Sequence, residues 1–132
     1  MKLDEHVSLA ALTTFKVGGY AGTVATCESE EDIQAALAYA RERGLPWYVL
    51  GGGSNVLADD AGYDGLIIRP LLKVVHFEIQ ESSGECTATA GAGVVWDEFV
   101  QESCTRGLWG LENLAGIPGL VGGAPVQNVG AY

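Results

Sequence analysis

The run "VATCESEEDIQAALAYARERGLPWYVL", residues 24–50, constrains the fold more than any other part of this chain. Its centre carries helix signals at both ends. Ser29 is placed to cap the helix, with Asp32 three residues on as a capping-box variant. Glu30, Glu31 and Asp32 fill the first turn, where the helix dipole favours anions. Ile33, Ala36, Leu37 and Ala40 fall on one face. Arg41 and Arg43 close the last turn, and Gly44 stops it. Val24 to Cys27 reads as a strand before the helix. "PWYVL", residues 46–50, reads as a buried strand after it. Strand, helix and strand together predict a small parallel βαβ unit.

Shorter signals flank this unit. Phe15 to Val17, followed by Gly18 and Gly19, reads as a strand and turn. "LIIR", residues 66–69, is a third short strand. Val75, Phe77 and Ile79 alternate with His76, Glu78 and Gln80, as in a half-buried strand. "ESSGE" is turn chemistry and "CTATA" another strand, so this pair predicts a hairpin. Trp96, Phe99, Val100 and Cys104 stand at helical spacing, with Gly107 as the stop. The length of 132 residues suits one domain spanning 1–132.

Three glycine clusters remain. The first, "VLGGGSNVL", leaves the strand at residue 50. No Gly-Lys-Ser/Thr follows, so it is not a Walker A loop. Gly51 and Gly53 supply G-x-G, but Val56 stands where a dinucleotide fingerprint needs its third glycine. The downstream "ADDAGYDG" is turn-rich, so no helix N-terminus is on offer. Two readings stay open: a nest of bare amides that holds an anion, or a tight turn needing positive φ. In the nest, Ser54 and Asn55 add short polar side chains. The second cluster, "AGAG", spans residues 90–93 between a strand and a helix.

The third is "NLAGIPGLVGGAPVQNVGAY", residues 113–132, which holds no charged residue. Pro118, Pro125 and the repeated glycines argue against a spanning helix or any regular helix. Irregular backbone that is buried needs hydrogen-bond partners, and a ligand is one source of them. Three such clusters in a short chain fit one extended ligand with phosphates and a flat apolar part.

The net charge of -10 argues against nucleic acid and anionic membrane as partners. It does not oppose a small anion, since backbone amides bind phosphate without lysine. Cys27, Cys86 and Cys104 are far apart and lack metal-ligand spacing, so they read as reduced thiols packed as small hydrophobes. The amino-terminal residues carry no long apolar run, and no window of ~18 apolar residues occurs, so the cytoplasm is the expected compartment. Glu112 reads as a helix-end or loop-bracing carboxylate. No acid–base pair is evident, which points to a cofactor carrying the chemistry.

"LTTFKVGGYA", "LGGGSNVL", "AGAGVVWDEFV" and "GLENLAGIPGLVGGAPVQNVGAY" occur in this order. In them the chain resembles the N-terminal FAD-binding part of the bacterial UDP-N-acetylenolpyruvoylglucosamine reductases. The resemblance implies an α+β fold of the vanillyl-alcohol-oxidase (PCMH) type. That fold has a small parallel βαβ part and a mixed, mainly antiparallel β part. It implies FAD as cofactor, NADPH as reductant and a UDP-sugar as substrate, in peptidoglycan synthesis. Gly51, Gly52, Gly53, Ser54 and Asn55 match the loop around the FAD pyrophosphate. Ala92 and Gly93 match a stretch near the cofactor. Ile117, Pro118, Gly119, Gly122, Gly123 and Ala124 match the flavin-lining stretch, although some relatives have serines where Gly123 and Ala124 stand. Gln127 and Asn128 match a polar pair that either braces or touches ligand. Tyr132 matches a tyrosine on the substrate side.

The family's serine, arginine and glutamate that complete the reaction lie downstream of "GAY". The resemblance therefore implies a truncated FAD-binding domain, inactive by itself. Two other readings are an alcohol or sugar oxidase of the same fold and a non-catalytic flavin-binding module. The former often attach flavin through His or Cys, and neither His6 nor His76 sits in a glycine cluster.

Overall fold

The computed structural model describes residues 1–130, so Tyr132 lies outside the described residues. The chain forms two compact units, Met1–Leu72 and Lys73–Tyr132.

The first unit holds β1 (Lys2–Ser8), β2 (Tyr20–Cys27), α1 (Glu30–Arg43), β3 (Trp47–Val49) and β4 (Tyr63–Pro70). They make one four-stranded sheet in the order β1-β2-β4-β3. β1 runs antiparallel to β2, while β2 and β3 both run parallel to β4. The predicted βαβ unit is present, with β4 inserted between its two strands. As an inner strand β4 is covered on both faces. This accounts for its unbroken Leu66, Ile67 and Ile68, all buried. Leu66 and Ile68 join Ala25, Cys27, Ala36 and Ala40 under α1. Ile67 joins Leu9, Ala21, Val24 and Leu50 on the opposite face. Each large apolar side chain so buried contributes about 1.5–3 kcal/mol.

The ends of α1 follow the local signals. Ser29 Oγ accepts from the Asp32 amide at 3.2 Å. Asp32 Oδ2 accepts from the Glu28 amide at 3.0 Å, so the reach-back lands one residue before the cap. Gly44 takes φ 63° and its amide reaches the Ala40 and Arg41 carbonyls.

Two segments of the first unit differ from the sequence expectation. Residues 46–50 read as a buried strand, yet Trp47, Tyr48 and Val49 are 52%, 50% and 49% exposed. β3 is the sheet edge, and α1 covers β2 and β4 instead. Only Leu50, just past the strand, is buried. Phe15 to Val17 is not a strand. It is a turn and an irregular stretch, with Phe15 exposed. The strand in this region is β1, whose charged "KLDEHVS" gives no apolar alternation and which is held by pairing with β2.

The second unit holds β5 (Val75–Ile79), β6 (Cys86–Ala90) and α2 (Trp96–Thr105). β5 and β6 form the expected antiparallel hairpin, with Phe77 opposite Ala88. Val94, Trp96, Phe99, Val100 and Ala124 make the core, with Val75, Phe77 and Ala90 of the hairpin packed on it. Cys104, expected on the buried face of α2, is exposed and Ser103 is buried instead. The face follows the 96, 99, 100, 103 spacing. The Ser103 hydroxyl tolerates burial because it donates to the Phe99 carbonyl at 2.8 Å. No helix among the described residues is long and apolar enough to cross a membrane.

Candidate functional site

The loop of residues 51–55 follows β3 directly, at the carboxyl end of the parallel strands. That is where open α/β sheets place their ligands. The loop is fastened by its middle: the Thr14 amide donates to the Gly53 carbonyl at 3.0 Å. Gly53 is buried with φ 68°, and a Cβ there would lie 2.1 Å from the Leu12 carbonyl oxygen and 2.9 Å from Thr13 Cα. Only glycine fits. Gly51 is different, with no heavy atom within 4 Å of a Cβ. Among the described residues the amides of residues 51–55 donate no hydrogen bond. Gly52 and Asn55 are exposed, while Gly51 and Ser54 are half-buried. Among the described residues the loop thus offers amides without protein acceptors on a fixed anchor, which an anion nest requires.

Two side chains that sequence reasoning passed over lie in the same unit. Thr13 Oγ1 and Arg69 Nε are buried without a hydrogen-bond partner among the described residues. Thr13 stands in "LTTF" and Arg69 ends "LIIR". Nothing local marks either as unsatisfied.

The remaining expected residues belong to the second unit. The turn after β6 is closed by the Val94 amide on the Gly91 carbonyl at 3.1 Å. The uncharged segment straps this turn to α2. The Gly122 amide reaches the Ala92 carbonyl at 3.1 Å, the Val121 amide the Val94 carbonyl at 2.9 Å, and the Trp96 amide the Gly119 carbonyl at 3.0 Å. Trp96 Nε1 donates to the Leu114 carbonyl at 2.9 Å, and the Gly116 amide to Asp97 Oδ1 at 2.7 Å. Many of the partners that the irregular backbone needs come from the unit itself.

The close approach explains Gly122, whose Cβ would stand 2.7 Å from Ala92 Cβ; Gly123 faces open space. Gly119 takes φ 130°, where side chains rarely go. Ala124 is buried in the core, Ile117 packs against it, and Pro118 is exposed. Gly93 is buried beside the half-buried Ala92. The Gln127 amide braces against the Gly123 carbonyl, and Asn128 takes φ 51°.

Glu112 Oε2 accepts from the Gly110 amide at 2.5 Å. Its carboxyl is held below the usual glutamate range, by its own amide first and by Gly110 second. It is a loop brace, as expected. A groove of about 770 Å³ runs between the hairpin and the stretch after α2, past Cys86, Ser103 and Trp109, and no expected site residue lines it. Burial pushes the Cys27 thiol up, as suits an inert core cysteine. No metal-binding cluster occurs among the described residues.

A parallel βαβ part with a free-amide loop, joined in sequence to a hairpin-and-helix part, is the α+β fold of the PCMH type of flavoprotein. The chain belongs to the FAD binding domain family, which matches residues 21–132. It is similar to two bacterial proteins named UDP-N-acetylenolpyruvoylglucosamine reductase. That of Cutibacterium acnes is 45% identical over 97% of this chain and 34% of the relative. That of Pseudomonas aeruginosa is 45% identical over 100% of this chain and 38% of the relative. The crystal structure of the Thermus caldophilus reductase superimposes with a TM-score of 0.67 at 34% identity, over 94% of this chain and 41% of that one. The chain therefore spans little more than a third of the length of the curated relatives it matches.

Proposed function

We propose that this chain is the FAD-holding part of a reductase of peptidoglycan synthesis. With NADPH as reductant, that enzyme converts UDP-N-acetylglucosamine enolpyruvate to UDP-N-acetylmuramate. The observation that carries this reading is the row of free amides at residues 51–55 beyond a parallel strand. The residues present fit a pyrophosphate. The donors lack acceptors among the described residues, and the buried Gly53 anchor lets the backbone come close without a side chain in the way.

In this reading Gly51, Gly52, Gly53, Ser54 and Asn55 grip the pyrophosphate. Ala92, Gly93, Ile117, Pro118, Gly119, Gly122, Gly123 and Ala124 belong to the flavin-lining part, and Tyr132 to the substrate side. Among these, Ala124 and Ile117 act from the core by fixing the strap, and the backbone around Gly122 and Gly119 forms its surface. FAD, when bound, supplies the redox chemistry between NADPH and the substrate double bond. The chain's own residues bind and orient it. Among the described residues no acid–base pair is evident for the proton that the reduction also needs. In this reading the enzyme works in the cytoplasm.

Titrating the purified chain with FAD tests the reading, followed by flavin fluorescence and visible absorption. Saturable binding of one FAD per chain is expected. A flavin spectrum that stays that of free FAD at all ratios removes the proposal.

A further inference from the structure

We propose that Arg69 is the charged partner of the phosphate held by the glycine loop, an inference that rests on the flavin-holding reading above. Its position comes from register. Val49 pairs with Ile68 across β3 and β4, and the Leu50 amide extends the ladder to the Ile68 carbonyl at 2.9 Å. Leu50 therefore stands level with Arg69, and Gly51 follows. Strands in a sheet lie about 4.8 Å apart, so Arg69 begins next to the loop.

The face comes from alternation. Leu66 and Ile68 point to α1, whereas Ile67 shares the opposite face with Leu50 and Leu9. Arg69, two residues after Ile67, falls on that opposite face. Leu12 packs there too, and Gly53 lies against Leu12 and Thr13. Loop and arginine thus share one face at one end of the sheet.

The charge is uncompensated. The chain has 17 acidic residues for 7 Lys and Arg, yet no carboxylate lies within 4.0 Å of Arg69 among the described residues. Its Nε is closed off from solvent without an acceptor, although the residue as a whole stays partly exposed. A buried donor without a partner is costly, and native proteins rarely keep one without a reason. The other such atom among the described residues is Thr13 Oγ1, on a residue 7% exposed that touches Gly53. Free amides, an orphan hydroxyl and an orphan guanidinium Nε near one end of the sheet all call for an anionic acceptor. A guanidinium offers a planar fork that matches two phosphate oxygens, which an ammonium does not.

The test compares the chain with Arg69→Met and Arg69→Lys, measuring FAD affinity at several salt concentrations and the unfolding midpoint of each. The Met variant is expected to bind FAD about tenfold or more weakly, in keeping with the loss of a hydrogen bond to a charged group. Its affinity should also depend less on salt, since a screened charge has gone. The Lys variant should keep the salt dependence and lose several-fold in affinity. It decides the matter should the Met variant fail to fold. Affinity equal to that of the unaltered chain in either variant overturns the inference. So does weaker binding by the Met variant with unchanged salt dependence, which marks a purely structural role. These results leave the flavin-holding reading intact. An unaltered chain that binds no FAD removes that reading, and this inference with it.

Discussion

Replacing Gly53 with alanine separates the two demands that a glycine cluster can make. At φ 68° an alanine enters the left-handed region, at a cost of about 1–2 kcal/mol. Its Cβ would sit 2.1 Å from the Leu12 carbonyl oxygen and 2.9 Å from Thr13 Cα, both backbone atoms that have no rotamer to change. The local shift that relieves such overpacking costs about 1–3 kcal/mol more. The sum, about 2–5 kcal/mol, is a large part of the ~5–15 kcal/mol that stabilises a domain. Gly51→Ala is the control, with no heavy atom within 4 Å of its Cβ. It should stay within about 0.5 kcal/mol of the parent. Urea unfolding followed by tryptophan fluorescence measures both, and the Gly53 variant should lose about 1 M or more in its midpoint. Equal midpoints for the two variants would refute the claim that the loop is anchored at Gly53 and open at Gly51.

The strap of the second unit makes a parallel contrast. Gly122→Ala meets Ala92 Cβ at 2.7 Å and should cost about 1–3 kcal/mol. Gly123→Ser enters open space and should change stability by less than about 0.5 kcal/mol; indistinguishable melting curves would count against the described strap. Ser29→Ala removes the hydroxyl that accepts from Asp32 and should destabilise the first unit by about 1 kcal/mol, so an unchanged unfolding curve contradicts the cap. Glu112 has a lowered carboxyl pKa, so its bond to Gly110 holds at neutral pH. The bond is lost as pH falls through a value below the usual glutamate range. The Gly110 amide resonance should move in that window in an NMR titration and stay still in Glu112→Gln.

Elements specified by neighbouring residues were readable in the sequence. α1 carries its cap, its acidic first turn and its stop within one stretch, and the structure keeps all three. The hairpin of β5 and β6 follows from alternation around a turn. Pairings between distant segments were not readable. "PWYVL" is apolar whether it lies inside a sheet or at its rim, and only the insertion of β4 makes it the rim. β1 has no apolar rhythm of its own, because its place is set by backbone bonds to β2. Ser103 and Cys104 both lie near the face set by Trp96, Phe99 and Val100, and only the packing shows that it closes at Ser103.

The site shows the same limit. Glycine clusters announce unusual backbone, but Gly53 and Gly51 look alike in "GGGSN". Only the fold reveals that one abuts Leu12 and the other faces open space. Arg69 was hidden because an arginine at a strand end normally finds water or a carboxylate. That its Nε has no acceptor among the described residues is a property of the packed sheet.

The central claim is that backbone amides of the glycine loop hold the FAD pyrophosphate. Its most direct test is an amide NMR spectrum of the isotopically labelled chain, recorded while FAD is added. The amide resonances of residues 51–55 should shift together and saturate with one FAD per chain. Binding of FAD that leaves those resonances in place, or no binding at all, would contradict the account.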